Sequence, residues 1–137
     1  MSLVLDSSIT VAWLYREEAT KSIDEIFENL VGAHAWVPAL WHLEVANVLQ
    51  VGIWRQRHAA DFRDRVLSDL SEFPIHVDPE TDRQAWGATA RLAERHRLTV
   101  YDAAYLELAL RRGLPLATLD EDLRTAAGAE RVPLLGV

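Results

Sequence analysis

Four acidic residues stand where acids are costly. Asp6 ends Leu3-Val4-Leu5, and Glu44 interrupts Leu43-Glu44-Val45-Ala46. Asp102 sits in Val100-Tyr101-Asp102-Ala103-Ala104, and Asp120 follows Leu116-Ala117-Thr118-Leu119. A carboxylate beside a core is unfavourable unless it is paired or holds a cation. Four oxygen donors drawn from distant parts of the chain therefore point to a site for a hard divalent ion.

Each acid also has a plain structural reading. Asp102 in the first turn of a helix favours the helix dipole, worth up to about 1 kcal/mol. Asp6 and Asp120 each suit a helix N-cap, with Asp122 in the turn after Asp120. Glu44 has no such reading. It lies inside an apolar helix with Leu40, Val48 and Leu49, and a buried unpaired Glu costs several kcal/mol or stays protonated.

Other chemistries find little footing. The chain has no cysteine, which excludes disulfides and thiolate metal sites. The five histidines, His34, His42, His58, His76 and His96, contain no i, i+4 pair, so the zinc-helix spacing is missing. Ser7 and Ser8 lack a nucleophile elbow. No glycine-rich nucleotide-binding loop occurs.

The elements that position the acids follow from periodicity and punctuation. Strands are predicted at Leu3–Leu5, Ala35–Val37, Phe73–Val77, Leu116–Leu119 and Val132–Leu135. Helices are predicted near Ile9–Tyr15, Thr20–Leu30, Pro38–Arg57, Ala59–Glu72, Thr81–His96, Val100–Arg112 and Asp120–Ala127. Thr99 caps the Val100 helix and Gly113 closes it. Strands alternating with helices imply an α/β fold with a parallel sheet and right-handed crossovers. Ligands of such sheets gather beyond the carboxyl ends of the strands. Asp6 and Asp120 fall at that end, Asp102 faces it, and Glu44 joins them if its helix packs across it.

Residues 1–137 are expected to form a single domain, long enough to bury a real core. Half the residues are apolar and 26% are charged, as in a globular protein. No apolar run reaches the roughly 18 residues of a membrane span. No export signal is apparent, so the cytoplasm is the expected compartment. The net charge of −7 argues against a protein that coats nucleic acid, but not against an enzyme that cuts it. The basic residues are 13 Arg and the single Lys21. Arg55, Arg57, Arg63 and Arg65 read as a solvated face, with a phosphate track as the alternative. The five tryptophans, Trp13, Trp36, Trp41, Trp54 and Trp86, read as core or interface rather than base-stacking platforms.

The local sequences around the acids resemble those of PIN-domain ribonucleases of the VapC toxin type. The stretches that carry the resemblance are Leu5-Asp6-Ser7-Ser8, Pro38 through Glu44-Val45-Ala46-Asn47, Thr99 through Asp102-Ala103-Ala104-Tyr105-Leu106, and Leu116 through Asp120-Glu121-Asp122-Leu123. They span nearly the whole chain.

The resemblance implies a PIN-like three-layer α/β/α fold, with a small central parallel sheet flanked by helices. It implies a metal-dependent endoribonuclease, the toxin of a toxin–antitoxin pair, in which Asp6, Glu44, Asp102 and Asp120 are catalytic and hold Mg²⁺ or Mn²⁺. The cleavage products would carry 5′-phosphate and 3′-hydroxyl ends. Ser7, Thr118 and Asn47 would orient water or carboxylates, and Asp122 would be either a further ligand or a helix-start acid. The implied partners are an RNA substrate, a VapB-like antitoxin and a second copy of the chain in a homodimer.

Alternatives within the fold are an RNA-processing nuclease without a toxin role and an inactive binding module. Other α/β acid sites fit poorly. A receiver domain needs a late lysine, and a haloacid-dehalogenase-type phosphatase needs a second acid two residues after Asp6.

Overall fold

The computed structural model describes residues 2–137. Five short strands form one parallel sheet: β1 (Leu3–Leu5), β2 (Ala35–Val37), β3 (Ile75–Val77), β4 (Leu116–Ala117) and β5 (Leu134–Leu135). Their spatial order is β3-β2-β1-β4-β5. β1 pairs with β2 through Leu3 opposite Ala35 and with β4 through Leu5 opposite Ala117. All three β1 residues are at most 5% exposed, because helices cover the sheet on both sides. This is the parallel sheet that strand–helix alternation predicts, in the three-layer α/β/α arrangement that the resemblance implies.

The helices are α1 (Ser7–Leu14), α2 (Lys21–Asn29), α3 (Leu40–Trp54), α4 (Ala60–Leu70), α5 (Thr81–Gln84), α6 (Ala90–His96), α7 (Val100–Arg112) and α8 (Glu121–Ala129). α7 runs through the interior, with every residue from Ala103 to Ala109 buried. Its cap is as the sequence indicates. The Thr99 side chain accepts from the Asp102 N–H at 3.1 Å, and Gly113 takes the left-handed conformation that suits glycine.

The last β1–β4 stitches set up the site. The Asp6 N–H donates to the Ala117 carbonyl at 3.0 Å. The strand expected to reach Leu119 stops at Ala117, and side chains explain why. The Leu119 N–H donates to Ser8 Oγ at 3.0 Å and the Asp120 N–H to Thr118 Oγ1 at 3.1 Å. Hydroxyls next to the acids thus replace the sheet ladder.

Two helices differ from expectation. The helix opened by Pro38 ends at Trp54 rather than Arg57, because Gln56 adopts φ +59°. The single helix expected over Thr81–His96 is interrupted by a π-turn at Ala85–Thr89. The widened turn leaves Trp86 98% exposed and strands the buried Thr89 hydroxyl without a partner among the described residues.

Candidate active site

Winding away from β1 goes one way to β2 and β3, then reverses to β4 and β5. The crevice at that reversal, beyond the carboxyl ends of β1 and β4, is where open α/β sheets bind ligands. A cavity of about 370 Å³ lies there, and Asp6, Asp102 and Asp120 all line it. A larger cavity, about 680 Å³, lies elsewhere. Its aromatic wall includes Trp13 stacked on Phe27 at 4.2 Å, and it contains none of the four acids.

Asp6 is 3% exposed. Its Oδ2 accepts from Ser8 Oγ and Thr118 Oγ1, both at 2.7 Å, and the Ser7 backbone also bonds the carboxylate. Burial pushes its carboxyl above the ordinary aspartate range. The two hydroxyl bonds pull the other way, and the charge of Glu44 adds to the rise. Asp6 makes no side-chain cap to α1, so the capping explanation fails for it.

Asp120 does cap its helix. Its Oδ1 accepts from the Leu123 N–H at 2.8 Å, and the residue also lines the cavity. Asp102 stands half-buried in the first turn of α7. Burial, then the charges of Asp6 and Asp120, raise its pKa to about 6, with a smaller push from Asp122. Asp122 itself is exposed at the start of α8.

Glu44 is half-buried on α3 and is not part of the cavity wall. It stands close enough for its charge to act on Asp6. Its Oε1 accepts from the Tyr105 hydroxyl at 2.6 Å. Burial, the charge of Asp6 and this bond push the Tyr105 phenol far up, so it remains a donor.

The structure therefore gathers Asp6, Asp102 and Asp120 around one cavity, with Glu44 tied in from the side. Among the described residues, no three acids or imidazoles stand close enough together to hold a metal ion as they are placed. The donor set nevertheless fits a hard divalent cation. It is all oxygen, and Asp6, Asp120 and Glu44 are each anchored by neutral donors. Burial and acidic neighbours both raise Asp102, and a cation would relieve the repulsion from those neighbours.

Thr118 contacts Asp6 as the resemblance implied, but the serine bonded to the carboxylate is Ser8 rather than Ser7. The Ser7 side chain lies toward the Tyr105 hydroxyl. Asn47 is exposed on α3. Sequence reasoning missed Tyr105 and Glu18, which also lines the cavity. Tyr105 carries one signal: it lies three residues after Asp102, on the same side of α7. Glu18 carries none, being an exposed loop acid brought in by pairing with Arg57. That pairing also uses up a cation of the basic stretch. Arg57 bonds Glu17 and Glu18 and lies over the Tyr15 ring at 3.5 Å, and Arg63 pairs with Asp64.

A family model described as the PIN domain matches residues 3–129. Ribonuclease VapC3 of Pyrobaculum aerophilum is 31% identical over 139 residues, covering 98% of each chain. The structure of VapBC2 from Rickettsia felis, bound to a DNA fragment from their promoter, aligns with TM-score 0.67 at 15% identity, over 100% of this chain and 99% of that one. VapBC-5 from Mycobacterium tuberculosis aligns with TM-score 0.56 at 21% identity, over 99% and 98%. At these identities the two structures speak for the fold. Together with the family model and the curated relative, the cluster of acids at the β1–β4 crevice assigns this chain to the PIN-domain family, in its VapC branch.

Proposed function

We propose that this chain is a divalent-metal-dependent endoribonuclease and the toxin of a VapBC-type pair. The observation that carries the reading is the junction of Asp6, Asp102 and Asp120 at one cavity, with Asp102 raised to about 6 by burial and its two acidic neighbours. A site so charged suits a cation and, through it, a phosphodiester. The curated relative's name supplies RNA as the substrate class.

Asp6, Glu44, Asp102 and Asp120 would hold Mg²⁺ or Mn²⁺. The chemistry such an ion supplies when bound is a lowered water pKa and stabilisation of charge on the phosphodiester and the departing 3′-oxygen. The chain's own work is orientation and charge. Ser8 and Thr118 fix Asp6 through Oδ2, and the Leu123 N–H fixes Asp120 through Oδ1. No covalent nucleophile is needed.

A VapB-like antitoxin would restrain the enzyme in the cytoplasm, where its RNA lies. A second copy of the chain completes the proposed assembly. Leu43 and Trp54, 75% and 71% exposed on α3, support an interface there, since large exposed apolar residues favour cover.

The test is growth of a host expressing the wild type beside Asp6→Asn and Asp102→Asn, with total RNA run on a sequencing gel. Growth arrest with new discrete RNA ends in the wild type only is the expected result. New ends without arrest would favour a processing nuclease. Neither, in soluble well-expressed protein, would favour a binding module.

A further inference from the structure

We propose that Tyr105 is a positioning residue for the metal site, its hydroxyl holding the Glu44 carboxylate so that the second oxygen faces the acids. The inference rests on the metal-dependent reading above and goes beyond it. Tyr105 is fully buried, and its hydroxyl bonds Glu44 Oε1 at 2.6 Å, joining α7 to α3 across 61 residues of sequence. Phenylalanine would fill the same core volume, so only the hydroxyl needs a reason to be there.

That reason lies in how the acids are held. Glu44 has three rotatable bonds and a half-exposed carboxylate, which is expensive to order without a fixed partner. An Arg or Lys partner would order it but also offset its charge, leaving less for a cation. A neutral hydroxyl orders it and preserves the charge. Asp6 is held the same way, by the hydroxyls of Ser8 and Thr118 on a single oxygen. By contrast, the buried acids away from the cavity are held by arginines. Asp78 takes Arg111 and Arg112, and Glu107 takes Arg111. The chain thus separates acids paired for stability from acids left charged for a ligand, and the partner of Glu44 puts it in the second group.

The experiment titrates Mn²⁺ against wild type, Tyr105→Phe, Glu44→Ala and the double variant. Two readouts are followed, the metal-dependent rise in Tm and the cleavage rate. In Tyr105→Phe the Mn²⁺ midpoint is expected to rise about 10- to 100-fold, the usual effect of losing an outer partner of a metal ligand. Circular dichroism is expected to be unchanged, with cleavage recovering at saturating Mn²⁺. In the Glu44→Ala background, removing the hydroxyl is expected to change the midpoint no further. An unchanged midpoint in Tyr105→Phe would overturn the inference. So would a midpoint loss of equal size in the presence and absence of Glu44, since the hydroxyl would then act through something else. A wild type whose Tm ignores Mn²⁺ would overturn the metal reading itself. That result is distinguishable, because it appears before any variant is made.

Discussion

Asp102 holds its proton up to about pH 6 because burial and the carboxylates of Asp6 and Asp120 oppose its ionisation. In the unfolded chain it would ionise near the ordinary aspartate value of 3.8. Between those values the folded state binds more protons than the unfolded one, so stability falls as pH rises through the window. Metal-free Asp102→Asn should therefore melt above the wild type at pH 7, and the gain should vanish below about pH 4, where both side chains are neutral. Thermal melts in a chelator at the two pH values check this. Mn²⁺ should reverse the ranking at pH 7, since it rewards the charge the variant lacks. Asp6→Asn should keep its fold and lose cleavage, because it removes a charge from the proposed ligand set without opening a cavity. Circular dichroism and an RNA gel on the same sample decide that.

Among the elements, two joints hold the frame around the site. The first is where β3 ends. The Asp78 side chain is fully buried between Arg111 and Arg112 of α7. Burial alone would raise its carboxyl. The bonds from Arg111, Thr81 and Arg112 win and hold it well below the ordinary range. Its contribution is therefore present above pH 4 and lost as the solution is acidified. Asp78→Ala should cost about 3 kcal/mol in denaturant melts at pH 7, toward the low end for breaking a buried pair, because Arg111 retains Glu107.

The second joint is where α3 meets the segment after α1. Tyr15 and His58 share a 2.8 Å hydrogen bond over Gly52, and a Cβ at Gly52 would lie 2.5 Å from His58 and 2.7 Å from Tyr15. Gly52→Ala should destabilise by about 1–3 kcal/mol through overpacking. It should also loosen the Glu18 wall of the cavity, which limited proteolysis after Tyr15 would register.

These joints mark how far the sequence could be read. The strand–helix alternation and the caps of α7 were legible because hydrophobic period and turn chemistry are local. So was the placement of Asp6 and Asp120 just beyond strands. The π-turn was not, since Gly87 and Thr89 weaken a helix without saying that it widens rather than ends. Nor could the choice of Ser8 over Ser7 be read, because it depends on where Leu119, 111 residues away, presents its N–H. Tyr105 stood in the Asp102 stretch with no role of its own. Its hydroxyl acquires a meaning only when α3 is laid beside α7.

For the molecule as a whole, the acidic excess means that a cation bound as proposed would stabilise the fold as well as serve the chemistry. Mn²⁺ at 100 times its dissociation constant should add about 2.7 kcal/mol by mass action, an increment read as a shift in the denaturant midpoint. High monovalent salt should give a smaller part of it, because screening reaches half-exposed charges but not the buried Asp6.

The longest tie in the site, from Thr118 to Asp6, closes 112 residues of chain. The first acid leaves the ribosome early and waits for the last. Until β4 and the turn after it have emerged, Asp6 lacks one of its hydroxyl anchors, and Asp120 has not been made. A nascent chain of a hundred residues would therefore carry the sheet's first three strands and no working nuclease. The order of the strands withholds the acid site until synthesis is nearly complete.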